Sequence, residues 1–393
     1  MTHRLAIVAS HVIQYQDPFF RRLAKEADID LTVVYCSDAG ASSYHDADMN
    51  TTLRWDIDLL QGYRHVTLRN FGFGSGYTRL INPGIVPSIA LNDYDAVIFM
   101  TGWGSISALL GIVACRMSQK PFFLYGDSSF PPAETTLQAK IRAFFIRTIF
   151  RLAAGFMYSG VLNAEYYRHY GGSPDSFFLL PWAIDNDRFE EASRLSENQR
   201  RSMRREYGIG NESTVFVFSA KLVERKDPMT LLRAFERMNY RRDAAVLFLG
   251  DGELRARMQD FVRSRGLSER VHFAGFVNQT DLPAHYGISD VFILPSLYEP
   301  RGAVVNEAMA CGLPVIVTDR CGSIGDIVQP GENALIFGAG DDAALASHMD
   351  LLTINGSLRR RMAQRSREII RSWSYSTGVE GVKAMLERVC QQQ

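Results

Sequence analysis

Pro295-Ser-Leu-Tyr-Glu-Pro-Arg-Gly-Ala-Val-Val-Asn-Glu-Ala-Met-Ala-Cys-Gly-Leu-Pro-Val-Ile-Val317 decides how this chain is read. The apolar run Val291–Leu294 just before it has the length and composition of a buried strand. Pro314–Val317 reads as the next strand. Between them, a turn over Tyr298–Gly302 opens into a helix. Glu299 lies in the turn and Glu307 about one turn into the helix, with seven residues between them.

That arrangement suits a sugar nucleotide. The first amides of a helix lack intrahelical partners, and the helix dipole makes that end positive. Backbone N–H groups at Gly302, Ala303 and Val304 are therefore suited to a diphosphate. Gly302 admits close approach of the ligand to the backbone. With a rise of about 1.5 Å per residue, Glu307 lies roughly 5–7 Å farther along the axis. There its carboxylate can accept from both hydroxyls of the attached ribose. Glu299 lies on the other side of the phosphates, where it can accept from a sugar. An ordinary crossover helix with one surface and one capping glutamate would show the same local pattern, so this segment alone leaves both options open.

The segment resembles the E-x7-E motif of the retaining glycosyltransferases of family 4, within glycosyltransferase group 1, which have the GT-B fold. The resemblance implies that Glu299 contacts the donor sugar and Glu307 the ribose. Further segments match in order. Ser219-Ala-Lys-Leu-Val-Glu-Arg-Lys-Asp227 looks like the strand-end segment with two cations five apart. Gly250-Asp-Gly-Glu-Leu254 is similar to the G-D-G-x-L loop, and Val271-His-Phe-Ala-Gly-Phe-Val277 to the base-binding strand and turn. Pro181-Trp-Ala-Ile-Asp-Asn-Asp-Arg-Phe189 resembles the exit from the N-terminal domain. The resemblance covers most of the chain. It is specific in the C-terminal half and looser over the first 120 residues.

At 393 residues the chain exceeds one core and suits two domains. Its formal net charge is zero, which gives no argument for nucleic-acid binding. Five scattered cysteines (Cys36, Cys115, Cys311, Cys321, Cys390) form no C-x-x-C pair. They favour a reducing, cytoplasmic setting and argue against structural zinc. No acidic metal-binding pair is evident, so no metal or cofactor is expected. The run Arg4–Ser10 is too short for a signal peptide, and no stretch approaches the roughly 20 apolar residues of a spanning helix.

Strand-like runs recur in the first half at Leu5–Ala9, Leu31–Tyr35, Ala96–Met100, Phe122–Tyr125 and Gly155–Tyr158. In the second they recur at Val215–Ser219, Ala245–Leu249, Val271–Phe273, Val291–Leu294, Pro314–Val317 and Ala334–Phe337. Helical patterns alternate with them, which predicts two doubly wound, Rossmann-like α/β domains facing a common cleft. The expected division is 1–190 for the acceptor domain, 191–370 for the nucleotide-sugar domain, and 371–393 for a C-terminal helix returning to the first domain. Ala384, Met385 and Val389 are its expected buried face.

Lys221 and Lys226 follow the strand Val215–Ser219, and Pro228 fits the first turn of the next helix. Two cations there would neutralise a departing diphosphate, where charge develops in the transition state. The family usually has Arg at the first position; Lys221 keeps the charge and loses the bidentate fork. Gly250 and Gly252 lack the third glycine of a dinucleotide fingerprint, since Arg255 stands there, so a tight loop facing the cleft is expected. By resemblance, Phe276 and Val277 would bond and cover a base.

The first domain should hold the acceptor. Many relatives have a Gly-Gly loop after the first strand; this chain has Ser10-His-Val-Ile-Gln-Tyr-Gln-Asp-Pro18. His11, Gln14 and Gln16 are polar groups suited to hydroxyl recognition. Gly126-Asp-Ser-Ser129 follows a strand where many relatives carry a His, and a subset carries a similar Gly-acid-Ser sequence. Asp127 would accept the acceptor hydroxyl's proton or hold the acceptor sugar; a helix N-cap or turn Asp is the plain alternative. Lys140–Arg151 is an apolar helix with Lys140, Arg147 and Arg151 near one stripe. The expected role is an interdomain or core helix with solvated cations; peripheral contact with the inner face of a membrane is the sharper option.

Together these features predict a transferase that moves a hexose-type unit from a nucleoside diphosphate sugar to a glycan, lipid-linked or small-molecule hydroxyl, as in polysaccharide biosynthesis. A sugar-nucleotide epimerase on the same fold and a non-catalytic sugar-nucleotide-binding subunit remain as alternatives.

Overall fold

The computed structural model describes residues 2–41, 43–46, 51–72, 79–128 and 135–392. In chain order its strands are β1 (His3–Ala9), β2 (Ile29–Tyr35), β3 (Tyr44–Asp46), β4 (Thr51–Leu53), β5 (Arg64–Thr67), β6 (Ala96–Met100), β7 (Phe122–Gly126), β8 (Gly155–Tyr158) and β9 (Phe177–Leu179). They continue with β10 (Thr214–Ser219), β11 (Ala244–Leu249), β12 (Val271–Gly275), β13 (Val291–Leu294), β14 (Val315–Thr318) and β15 (Ala334–Phe337). The chain divides into two compact units. One comprises 1–44, 58–183 and 374–393, the other 45–57 and 184–373. The division after Ala183 precedes the 190/191 boundary expected from sequence. Residues 45–57 join the second unit although they lie early in the chain.

In the first unit a parallel sheet runs β5-β2-β1-β6-β7-β8-β9. Alternate residues of its strands serve two cores. Leu5, Ile7 and Ala9 pack on one face with Phe20, Val382 and Met385. Ala6 and Val8 pack on the other with Ile112, Ile146 and Phe150. A strand buried on both faces reads as a continuous apolar run, which is why β1, β2 and β6 are legible in sequence. β5 is an exposed edge strand, and β9 has only three residues, so neither carries that signal. The C-terminal helix Tyr375–Gln392 packs on this unit, burying Val379, Val382, Met385, Leu386 and Val389 at helical spacing. Met385 and Val389 are buried as expected, whereas Ala384 is exposed. Lys383 Nζ holds the outside of the helix to Glu26 (2.7 Å) and Asp28 (3.2 Å).

The second unit has a parallel sheet ordered β12-β11-β10-β13-β14-β15. Phe216, Phe218, Val246, Phe248 and Ile293 form its core with Leu231, Leu232 and Phe235 from the helix Pro228–Arg237. Full burial of each such side chain contributes about 1.5–3 kcal/mol before entropy is counted. Each unit is thus a doubly wound α/β sheet, in which ligands bind beyond the carboxyl ends of the strands.

Candidate active site

In the second unit the predicted residues gather at one edge of the sheet. Lys221 and Lys226 follow β10, Gly250 and Gly252 follow β11, Phe276 and Val277 follow β12, and Glu299 follows β13. The helix Ala303–Ala310 begins after Gly302, whose φ of 71° is a left-handed conformation that glycine adopts without strain. Gly302, at the N-cap, has no side chain to bond the first amides of this helix. A β-carbon on Gly302 would press on Glu299 Cγ at 3.1 Å. The glycine therefore also makes room for the neighbouring carboxylate.

Lys226 Nζ pairs with the Glu299 carboxylate, and both side chains are nearly buried. Arg225 stands farther from the same carboxylate, at 3.9 Å, and its Nη1 donates to the Tyr298 carbonyl at 3.1 Å. A backbone bond from Leu297 N to Arg225 O (3.0 Å) ties the two loops together. Lys221 is half-buried at the start of the same loop. Asp227, at φ 43°, caps the following helix by accepting from Thr230 N at 3.2 Å.

The Gly250–Gly252 loop packs tightly on the backbone of the Lys221 loop. A β-carbon on Gly250 would sit 2.0 Å from the Ala220 carbonyl oxygen, and one on Gly252 2.6 Å from that of Leu222. Leu222 N donates to Asp251 O, and Leu254 N to Leu222 O. The two glycines thus let this loop close against the backbone that presents Lys221.

Glu307 lies in the second turn of its helix and is buried. Tyr286 Oη donates to Glu307 Oε2 at 3.0 Å. Burial pushes the Glu307 carboxyl up to about 7, against the opposing pull of the Tyr286 hydrogen bond and the Arg188 charge. Arg188 is fixed by two bonds to Gln279, at 2.7 and 2.8 Å, and lies over the Phe189 ring. Tyr286 sits in a segment with no motif of its own, and Arg188, within the Pro181–Phe189 segment, was read only as part of the exit from the first domain.

Phe276 and Val277 are half-buried after β12. The Phe276 ring lies 6.3 Å from Trp55, and Asn278 Nδ2 donates to Arg54 O at 2.7 Å. Arg54 and Trp55 thus meet the turn that the sequence assigned to a base. Trp55 was missed because it is remote in sequence and outside any motif.

Loop 299–302 is anchored from within. Arg301 and Asp326 form an ion pair at 2.9 Å with side chains only 5% and 2% exposed. Ser323 Oγ donates to the Arg301 carbonyl, and Gly322 N to Glu299 O at 2.8 Å.

In the first unit, Asp127 is exposed just beyond β7. The next described helix starts at Leu137 and is capped by Thr136, so Asp127 does not cap it. Ser128 O accepts from buried Asn163 Nδ2 at 2.9 Å, and Gly126 O from Ser159 Oγ at 3.1 Å, which fixes the backbone under Asp127. Ser129 lies outside the described residues. Burial and the Asp127 charge raise the Tyr15 phenol above its ordinary pKa, which places Tyr15 and Asp127 in one electrostatic environment. His11 is exposed, with Nδ1 2.9 Å from Ser10 Oγ. Gln14 is half-buried, while Gln16 is buried and lines a small hollow of about 20 Å³ with Tyr15, Tyr125, Trp182 and Tyr375. Gln16 thus borders an aromatic hollow of the first unit. Tyr15 packs on Trp182 at 5.1 Å, and Trp182 stacks on Tyr125 at 6.5 Å.

Among the described residues no cluster of three or more His, Cys, Asp or Glu could hold a metal ion.

Residues 199–369 match the family model described as glycosyl transferases group 1. An uncharacterized glycosyltransferase of Methanocaldococcus jannaschii is 32% identical over 157 residues, covering 40% of this chain and 38% of that protein. A GDP-mannose-dependent alpha-(1-6)-phosphatidylinositol monomannoside mannosyltransferase of Mycolicibacterium smegmatis is 33% identical over 182 residues, covering 44% and 46%. The chain spans about half the length of the curated relatives it matches. The HepE protein of Anabaena, solved in complex with UDP and glucose, superposes with a TM-score of 0.73 at 16% identity, over 98% of this chain and 100% of that one. That likeness establishes the fold as the GT-B type.

Proposed function

We propose that this protein, whose residues 199–369 form a group 1 glycosyltransferase domain, transfers a hexose-type sugar from a nucleoside diphosphate sugar to an acceptor hydroxyl with retention of anomeric configuration. The observation that carries the reading is the Lys226–Glu299 ion pair. It joins two motifs 73 residues apart, one suited to a diphosphate and the other to the sugar attached to it. A donor diphosphate would share the Lys226 ammonium with Glu299, coupling sugar recognition to leaving-group neutralisation.

In this reading Glu307 holds the ribose, the amides at Gly302–Val304 hold the phosphates, and Phe276 and Val277 border the base. The bond from the sugar's anomeric carbon to the phosphate oxygen breaks. The acceptor oxygen bonds to the same face of that carbon, and its proton passes to the departing phosphate oxygen. Lys221 and Lys226 stabilise the charge that develops there, so no metal is required. Asp127 orients the acceptor hydroxyl, with His11 and Gln14 as further polar contacts of the first unit. The acceptor classes are a glycan, a lipid-linked sugar or a small molecule, with a cytoplasmic setting for the reaction. Family 4 membership and polysaccharide biosynthesis belong to the same proposal.

Mass spectrometry of products from a panel of UDP-, GDP- and ADP-sugars tests it, with proton NMR for the anomeric configuration. A glycoside with the donor's configuration is expected. An inverted glycoside would overturn retention. An isomerised free donor would assign epimerase chemistry, and unchanged donor with tight nucleotide binding would assign a binding subunit.

A further inference from the structure

The helix Leu137–Leu152 turns its apolar side outward. Ala143, Ile146 and Phe150 are its buried contacts with the sheet. At about 100° per residue, Leu137, Ile141, Phe144, Phe145 and Leu152 fall within about 100° of arc on the opposite side. All five are exposed, Phe144 by 64% and Phe145 by 60%. A helix of the core, one of the roles expected from sequence, would bury that stripe.

The polar groups are placed to match. The helix contains no Asp or Glu and four cations. Lys140, Arg147 and Arg151 flank the stripe on one side and Arg142 on the other. Thr148 falls inside the stripe, but its hydroxyl donates to the Phe144 carbonyl at 2.8 Å, so it needs no water. Arg147 lies over the Tyr170 ring at 5.6 Å, which keeps its charge at the stripe's margin. The helix Ile106–Met117 shares the core beneath and exposes Ile106, Leu109, Val113 and Met117 on the same side of the sheet. An apolar strip of this extent is costly to leave in water.

We propose that this face docks on the anionic surface of a phospholipid bilayer. An apolar strip bordered by cations and free of acids fits an interface in which acyl chains lie under negative headgroups. The helix is too short and too charged to span, and among the described residues no helix is long and apolar enough to cross a membrane. It lies in the plane of the surface. The proposal does not depend on the glycosyl-transfer reading.

Flotation of the full chain with vesicles of phosphatidylcholine containing phosphatidylglycerol, and with phosphatidylcholine alone, tests it. Wild type is expected to float with the anionic vesicles. Phe144→Asp/Phe145→Asp should lower that partition by at least about tenfold while keeping the circular dichroism and melting temperature of wild type. Lys140→Gln and Arg151→Gln should each lower it by roughly fivefold on anionic vesicles and leave phosphatidylcholine binding unchanged. Three results would overturn the proposal. Wild type could stay unbound with anionic vesicles, or the aspartate variant could float as wild type does. The third is a lipid-free dimer that the aspartate variant splits, which would assign the face to a second copy of the chain.

Discussion

Tyr286 and Glu307 form a closed pair inside the second unit: the phenol donates at 3.0 Å to a carboxyl that is 7% exposed, and itself has no exposed surface. With its pKa raised by burial to about 7, Glu307 changes charge in the physiological range. An ionised carboxylate accepts hydroxyl hydrogen bonds far better than a neutral acid. Proton loss at Glu307 is therefore expected to govern donor affinity.

The donor KM should fall by about tenfold between pH 6 and pH 8, as the ionised fraction rises through the folded pKa. A sugar nucleotide has no phosphate titration in that window, so the change reports the protein. Glu307→Gln should remove the pH dependence and raise KM by roughly tenfold or more at pH 8. A pH-independent wild-type KM would count against the ribose assignment. Stability runs the other way: the folded pKa lies above the ordinary value of 4.5, so the unliganded protein should lose stability as pH rises from about 4.5 to about 7. Melting curves of wild type and Glu307→Gln across that range would isolate this component.

Tyr286→Phe should move the same profile to higher pH, because the hydroxyl stabilises the ionised form. A purely structural tyrosine would change the melting temperature and leave the midpoint in place. Removing one hydrogen bond to a charged group costs about 1.5–3 kcal/mol, so a midpoint shift of about one pH unit is expected, measured from donor KM against pH.

How much of this was readable without coordinates follows the physics of each element. The strands carrying Lys221, Gly250 and Glu299 are buried on both faces, and their apolar runs end sharply where the site begins. Glu299 and Glu307 sit at a spacing that helix geometry turns into a distance. By contrast, Tyr286 and Trp55 act through contacts formed only when distant segments meet, and no local pattern marks them; Arg188 lies in a recognised segment, but its reach to Gln279 shows only in the fold. The glycines at 250 and 252 were legible as a tight turn, but not as the surface against which the Lys221 loop closes. The outward stripe on Leu137–Leu152 was ambiguous because an apolar helical face looks the same in sequence whether it meets a core or solvent.

The Lys226–Glu299 pair predicts unequal effects of substitution. Lys226→Ala and Lys221→Ala should each lower kcat/KM by at least about 100-fold, or roughly 2.7 kcal/mol. Lys226→Ala also strands a nearly buried carboxylate, so combining it with Glu299→Gln should cost less than the sum of the two single changes. Strict additivity in a double-mutant cycle would mean that the pair does not act as one unit. Near-normal turnover in both lysine variants would reduce the loop to a solvated turn.

The buried Arg301–Asp326 pair should matter for stability first. Asp326→Ala removes a buried partner of the Arg301 guanidinium and should destabilise the protein by about 3–5 kcal/mol, measured by urea unfolding. Since Arg301 immediately precedes Gly302, donor affinity should fall along with stability. A variant with wild-type stability would show that the Arg301 charge is satisfied by other groups.

Asp127 offers the sharpest test of the acceptor assignment, because Asp127→Asn keeps its shape and removes its charge. The residue lies in the first unit, whereas the groups assigned to the nucleotide lie in the second. The substitution should therefore leave the thermal shift produced by UDP, GDP or ADP unchanged. It caps no described helix, is exposed, and stands on backbone fixed by Asn163 and Ser159. Stability should accordingly change by less than about 1 kcal/mol, with the melting temperature within about 3 °C of wild type. If Asp127 orients the acceptor hydroxyl, transfer should still fall by at least roughly tenfold, with the loss in kcat or acceptor KM and none in donor KM. Full transfer activity would remove Asp127 from the reaction, leaving His11 as the next first-unit residue to substitute.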